Sequence, residues 1–137
     1  MSNPWIVASP KQAALIDTPT LVAAARDRFG TLVSVDLRPD GPMDAEMWVR
    51  APGEPPFSIT RSRDGRSLHV DGTPVQNADV AAWVRGLLPS EFPRLIAFDQ
   101  GWTGHAELPA GVTAEDVTTR WIDHSVQGWN AGDPDLS

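Results

Sequence analysis

Residues 32 to 72 read LVSVDLRPDGPMDAEMWVRAPGEPPFSITRSRDGRSLHVDG, and the fold turns on how this stretch is read. Val33, Val35 and Leu37 alternate with Ser34, Asp36 and Arg38, the two-residue period of a strand with one buried face. The turn Pro39-Asp40-Gly41-Pro42 ends it. Ala45, Met47 and Val49 then alternate with Glu46, Trp48 and Arg50 as far as Pro52-Gly53, and Phe57 and Ile59 carry the pattern to Arg61. After the Asp64-Gly65 turn, Leu68 and Val70 form a returning strand up to Asp71-Gly72. Four strands in three consecutive hairpins make an antiparallel meander. Covering its Met47 and Val49 side with helices leaves Trp48 exposed on the other.

N-terminal to this stretch, Trp5 to Ala8 lies between Pro4 and Pro10 and reads as a short strand or docked arm. Thr18-Pro19 is an N-cap followed by proline at the first helical position; Leu21, Val22, Ala25 and Phe29 share one face before Gly30, which predicts a helix over 19–29. On the C-terminal side, Asn77 is expected to cap a second helix with Val80, Trp83, Val84, Leu87 and Leu88 in one stripe, ended by Pro89. Leu95 to Phe98 is a short apolar strand, and the segment around Glu107-Leu108 is a candidate for one more. Thr113, with Asp116 at N3, opens a third helix whose inward residues are Val117, Trp121 and Ile122. The expected fold is α+β: an antiparallel sheet of about five to six strands with two or three helices on one face. Residues 1–125 form the expected single domain and 126–137 a flexible acidic tail, unless Trp129 docks.

A chain of 137 residues, 41% hydrophobic and 21% charged, is enough for one core. It has no cysteine, which excludes disulfides, thiolate nucleophiles and thiolate metal sites. No basic leader and no long apolar run occurs, so a cytoplasmic location with no membrane contact is expected. The net charge of −7 is unevenly placed. Residues 95–137 hold seven acidic side chains against one basic, Arg120. Nucleic-acid binding is disfavoured, since only Arg61, Arg63 and Arg66 cluster, and a basic partner fits better.

Chemistry is hard to find. His69 is expected on a solvent-facing strand position, His124 at a helix C-terminus where the dipole favours an imidazolium, and His105 in a loop near Asp99 and Glu107. No two histidines have metal-pair spacing, and no metal or other cofactor is expected. There is no nucleophile elbow and no phosphate loop, because the glycines stand singly at turns and helix ends. Glu115 and Asp116 read first as carboxylates suited to a helix N-terminus. Of six tryptophans, Trp83 and Trp121 have core spacing, whereas Trp48, Trp102 and Trp129 do not. Trp102, in the Gly-flanked turn between Asp99 and Glu107, is either an interface anchor or a plug on the sheet end.

Residues 78–117 also carry a pattern of Trp83, Arg85, Pro89, Phe98, Asp99, Leu108, Gly111 and Thr113: a W-x-R helix ending in Leu-Pro, a strand ending in Phe-Asp, and a segment opening the last helix. This resembles a stretch of small actinobacterial proteins of immunity or unassigned type. The resemblance covers about a third of the chain and brings no catalytic residues; it implies a non-enzymatic protein that neutralises a cognate toxin. The expectation is therefore one basic protein partner, bound by Asp99, Trp102, His105, Glu107, Glu115, Asp116, Asp123 and Trp48, with the chain a monomer or homodimer. The alternatives are a dimeric secretion or assembly chaperone, and a small ligand-binding domain or enzyme using the sheet face with Trp48 and His69.

Overall fold

The computed structural model describes residues 3–125. The expectations for 126–137, Trp129 included, lie outside the described residues. Eight strands, β1 (Trp5–Ala8), β2 (Val33–Leu37), β3 (Met43–Val49), β4 (Phe57–Ser62), β5 (Ser67–Asp71), β6 (Ile96–Asp99), β7 (Gly104–Glu107) and β8 (Ile122–Asp123), form one antiparallel sheet in the order β2-β3-β4-β5-β1-β6-β7-β8. Three helices accompany it: α1 (Thr18–Phe29), α2 (Pro74–Leu87) and α3 (Ala114–Thr119). The class is the α+β expected, and the sheet is larger than the five to six strands read from the sequence.

The extra strands come from short apolar pieces that the sheet recruits. β1 inserts between the meander and the C-terminal strands, with Val7 opposite Leu68 on one side and Ala97 on the other. The third helix stops at Thr119 instead of running to Ile122, which joins β8 opposite His105. Alternation then sorts the side chains. Met47, Val49, Phe57, Ile59, Leu68, Val70, Val7, Ala97 and Ala106 share one face and are buried in one cluster with Leu21, Val22, Val80, Val84 and Val117 of the helices. The opposite face carries Trp48, Ser58, His69, Ile96, Phe98, His105 and Glu107. Among the described residues no helix is long and apolar enough to cross a membrane.

Two helix starts differ from the sequence reading, each for a chemical reason. Asp17, not Thr18, caps α1: its carboxylate accepts from the Thr20 N–H at 2.8 Å, while the Thr18 hydroxyl donates to Asp44. α2 begins one turn before Asn77. Thr73 accepts from the Gln76 N–H, the Gln76 side chain accepts from the Thr73 N–H, and Pro74 occupies the first turn. Asn77 is instead buried inside that turn, accepting from the Gly72 N–H and donating to the Asn3 carbonyl. Thr113 and Asp116 form the reciprocal box expected at α3.

Candidate functional site

The turn between β6 and β7 is built around Asp99. Lying on the helix side of the sheet at 3% exposure, its carboxylate accepts from the Thr103 N–H at 2.6 Å, from the Gly104 N–H at 3.2 Å and from the Thr103 hydroxyl. Burial raises its pKa, the hydrogen bonds from Thr103, Gly104 and Asn3 outweigh that, and the carboxyl titrates below its ordinary range. The expectation of Asp99 as a surface steering charge is thus corrected: it is an internal latch on the turn.

The latched turn presents Trp102 with φ of 55°, a left-handed conformation that a bulky side chain adopts at a cost. Its indole stacks on His105 at 5.6 Å between ring centres, meets Phe98 edge-on at 5.0 Å and lies 4.7 Å from His124. His105, only 2% exposed, faces His124 through Nδ1 and Nε2 at 2.7 Å, and His124 Nδ1 reaches the Trp102 carbonyl at 2.8 Å. His124 therefore does not sit at a helix terminus, and two histidines 19 residues apart do meet. One of the two facing nitrogens must carry the proton and the other accept it. The spacing of His105 and His124 along the chain hides this pair: Trp121-Ile122-Asp123-His124 has no strand period of its own, and only the pairing of β8 with β7 brings the two rings together. Among the described residues no group of three or more ligand side chains could hold a metal ion.

The remaining acids divide by what they touch. Glu107 is engaged by Arg94, whose Nε donates at 2.8 Å and whose Nη2 completes a two-pronged pair. Asp116 is held by the Thr113 N–H and Asp123 by Ser125, and these hydrogen bonds keep both carboxyls below the ordinary range. Glu115 and Asp123 are exposed, and among the described residues neither has a lysine or arginine within ion-pair distance. Asp123 stands opposite Gly104, two residues from Trp102; Glu115 is in the first turn of α3.

Trp48 lies on the open face as expected, but half-buried: its Nε1 donates to Glu46 at 3.1 Å and the Arg50 guanidinium sits 5.2 Å from its ring centre. It borders a cavity of about 490 Å³ at the end of the sheet with Trp5, Asp71 and Gln76. Trp48 is therefore remote in the strand order from the Trp102 turn. His69 is half-buried instead of solvent-facing, and burial pushes its imidazole pKa down. Among the described residues Arg85 is the one buried arginine, and seven of the ten, Arg63 among them, are exposed. Buried Arg85 donates to the carbonyls of Leu108, Leu88, Pro89 and Ser90, and Arg63 to those of Gly41, Arg38 and Met43. Both cations thus serve backbone oxygens, Arg85 inside the molecule and Arg63 at its surface. Comparison with known protein families, curated proteins and solved structures finds no match for the chain.

Proposed function

We propose that the chain is a non-enzymatic binding protein of the immunity type, which inhibits one protein partner by covering a basic surface with the Trp102 turn and the exposed acids of the C-terminal third. The observation that carries this reading is the left-handed Trp102 on a turn fixed by the buried Asp99. Backbone strain of this kind costs about 1–3 kcal/mol and concentrates at recognition sites, and a pre-set aromatic loses little entropy on binding. Glu115 and Asp123 would supply the steering charge; Asp99 and Glu107, already engaged, would act through the shape of the turn.

The test uses three baits for affinity capture from the native host: the wild type, Trp102→Ala and the double variant E115K/D123K. One protein is expected with the wild type, lost by tenfold or more with W102A, as for an aromatic hot spot worth about 2 kcal/mol. Its capture by the double variant should be weaker and less sensitive to salt. Recovery of no protein, or of the same proteins by all three baits, rejects the reading. In the same reading, the product of an adjacent gene should be toxic alone and tolerated when this chain is co-expressed.

A small-cation site is supported by a different observation. Beside the cavity under Trp48, the Asp71 Oδ1 is buried with no hydrogen-bond partner among the described residues. Titration with guanidinium or an alkylamine should raise the melting temperature of the wild type and not of Asp71→Asn.

A further inference from the structure

The two edges of the sheet are unequal. β8 ends one edge with two residues, which leaves little backbone for another chain to pair with. β2 ends the other with five residues, and none is proline. The one register irregularity nearby is on β3, between Met43 and Ala45. The backbone bonds from the Arg50 N–H to the Leu32 carbonyl at 3.0 Å, and from the Arg38 N–H to the Asp44 carbonyl at 2.9 Å, fix which rungs of the β2–β3 ladder are bonded. Since bonded and non-bonded pairs alternate, Ser34 and Asp36 bond to β3, and Val33, Val35 and Leu37 turn their N–H and C=O groups outward. The outward rungs belong to the apolar residues. Of three large apolar side chains exposed among the described residues, two flank this edge: Leu37 at 60% and Leu32 at 40%.

We propose that β2 is a homodimer edge, pairing antiparallel with β2 of a second copy about a two-fold axis through Val35. In that register Val35 meets the second copy's Val35, Val33 meets Leu37, and all three outward residues are used, for about six hydrogen bonds. On the alternate rungs each Ser34 stands opposite Asp36 of the other copy, a hydroxyl facing a carboxylate. The neighbouring registers are worse. Moving the axis by one residue loses a rung: at Asp36 it sets the two Asp36 carboxylates against each other and Val33 against Pro39, which has no N–H to give, and at Ser34 it sets Asp36 against Leu32. The occupant that suits this edge is thus the edge itself.

The surface is separate from the Trp102 turn, which lies toward the other end of the strand order, so either proposal can fail alone. The test is sedimentation equilibrium of the full chain from micromolar to near-millimolar concentration, with two variants at exposed Ser34. S34D places carboxylates face to face at two symmetry-related sites and is expected to weaken the dimer about tenfold; S34K places an ammonium opposite Asp36 twice and is expected to tighten it. Both variants should melt close to the wild type, since Ser34 is outside the core. A monomer at every concentration, or a dimer whose dissociation constant does not move in opposite directions with the two charges, overturns the proposal.

Discussion

Asp99 shows how a single side chain can change meaning once its surroundings are known. In the sequence it ends a strand beside a glycine-rich turn and reads as a surface acid; in the fold the same turn closes over it and supplies three donors. Replacing it by Asn is expected to cost about 2–3 kcal/mol at neutral pH in a denaturant titration, because charge-assisted bonds are lost and a donor group faces donors. The pH dependence has a sign. Asp99 titrates below the ordinary carboxyl value, so its stabilisation is full above about pH 3.9 and disappears as the pH falls toward its folded value. The gap between wild type and D99N should therefore close in acid. His69 acts at milder pH: half-buried and favoured neutral, it takes up a proton more readily when unfolded, so stability falls as the pH drops below about 6.5. H69Q should flatten that limb. Gly104 is the third residue with a defined effect. A Cβ there would lie 2.6 Å from Cε2 of Trp121, whose ring stacks on Trp5 at 4.5 Å. Gly104→Ala should cost about 1–3 kcal/mol and alter tryptophan fluorescence as that stack separates.

At the scale of elements, the start of α2 gives a sharp comparison. Thr73→Ala removes a reciprocal cap and should cost about 1 kcal/mol, with strong coupling to Gln76→Ala in a double-mutant cycle and little to Asp17→Ala at the other helix. Arg85→Met should cost more, about 3 kcal/mol in denaturant titration, because several buried carbonyls lose their donor together. These cases also mark what the sequence can convey. The meander was legible because strict alternation and proline or Asp-Gly turns act locally, and β2 to β5 follow it closely. Thr113 and Asp116 were legible for the same reason. Asn77 misled because asparagine fits a cap as readily as the buried bridge it makes here between Gly72 and Asn3. β1 and β8 carry too few residues for a period, and only the neighbours supplied by the fold make them strands. Of the candidate site, the place of Trp102 in the turn could be read. Its pairing with His105 and His124 is a tertiary fact, set by which strands lie side by side.

For the whole molecule, which carries a net charge of −7, three arginines tie together segments far apart in the chain. Arg61 joins Asp44 and the Ile16 carbonyl, Arg63 staples the Pro39–Pro42 connection to the meander's last turn, and Arg85 holds the loop after α2. The excess of eighteen acids over eleven cations leaves the molecule electronegative, and complex formation with a basic partner should slow as ionic strength rises. The central place of β1 has a separate consequence, for the order in which the fold can be made. The meander β2–β5 closes through neighbours in sequence, and so does the β6–β7 hairpin, but the strand that joins them comes from the start of the described residues. Pairing Trp5 with Asp99 encloses nearly the whole of the intervening chain. That closure carries the large entropy of a long loop, so it is expected to set the folding rate. The meander would then exist briefly with β5 uncovered, a second open margin that the finished protein no longer has.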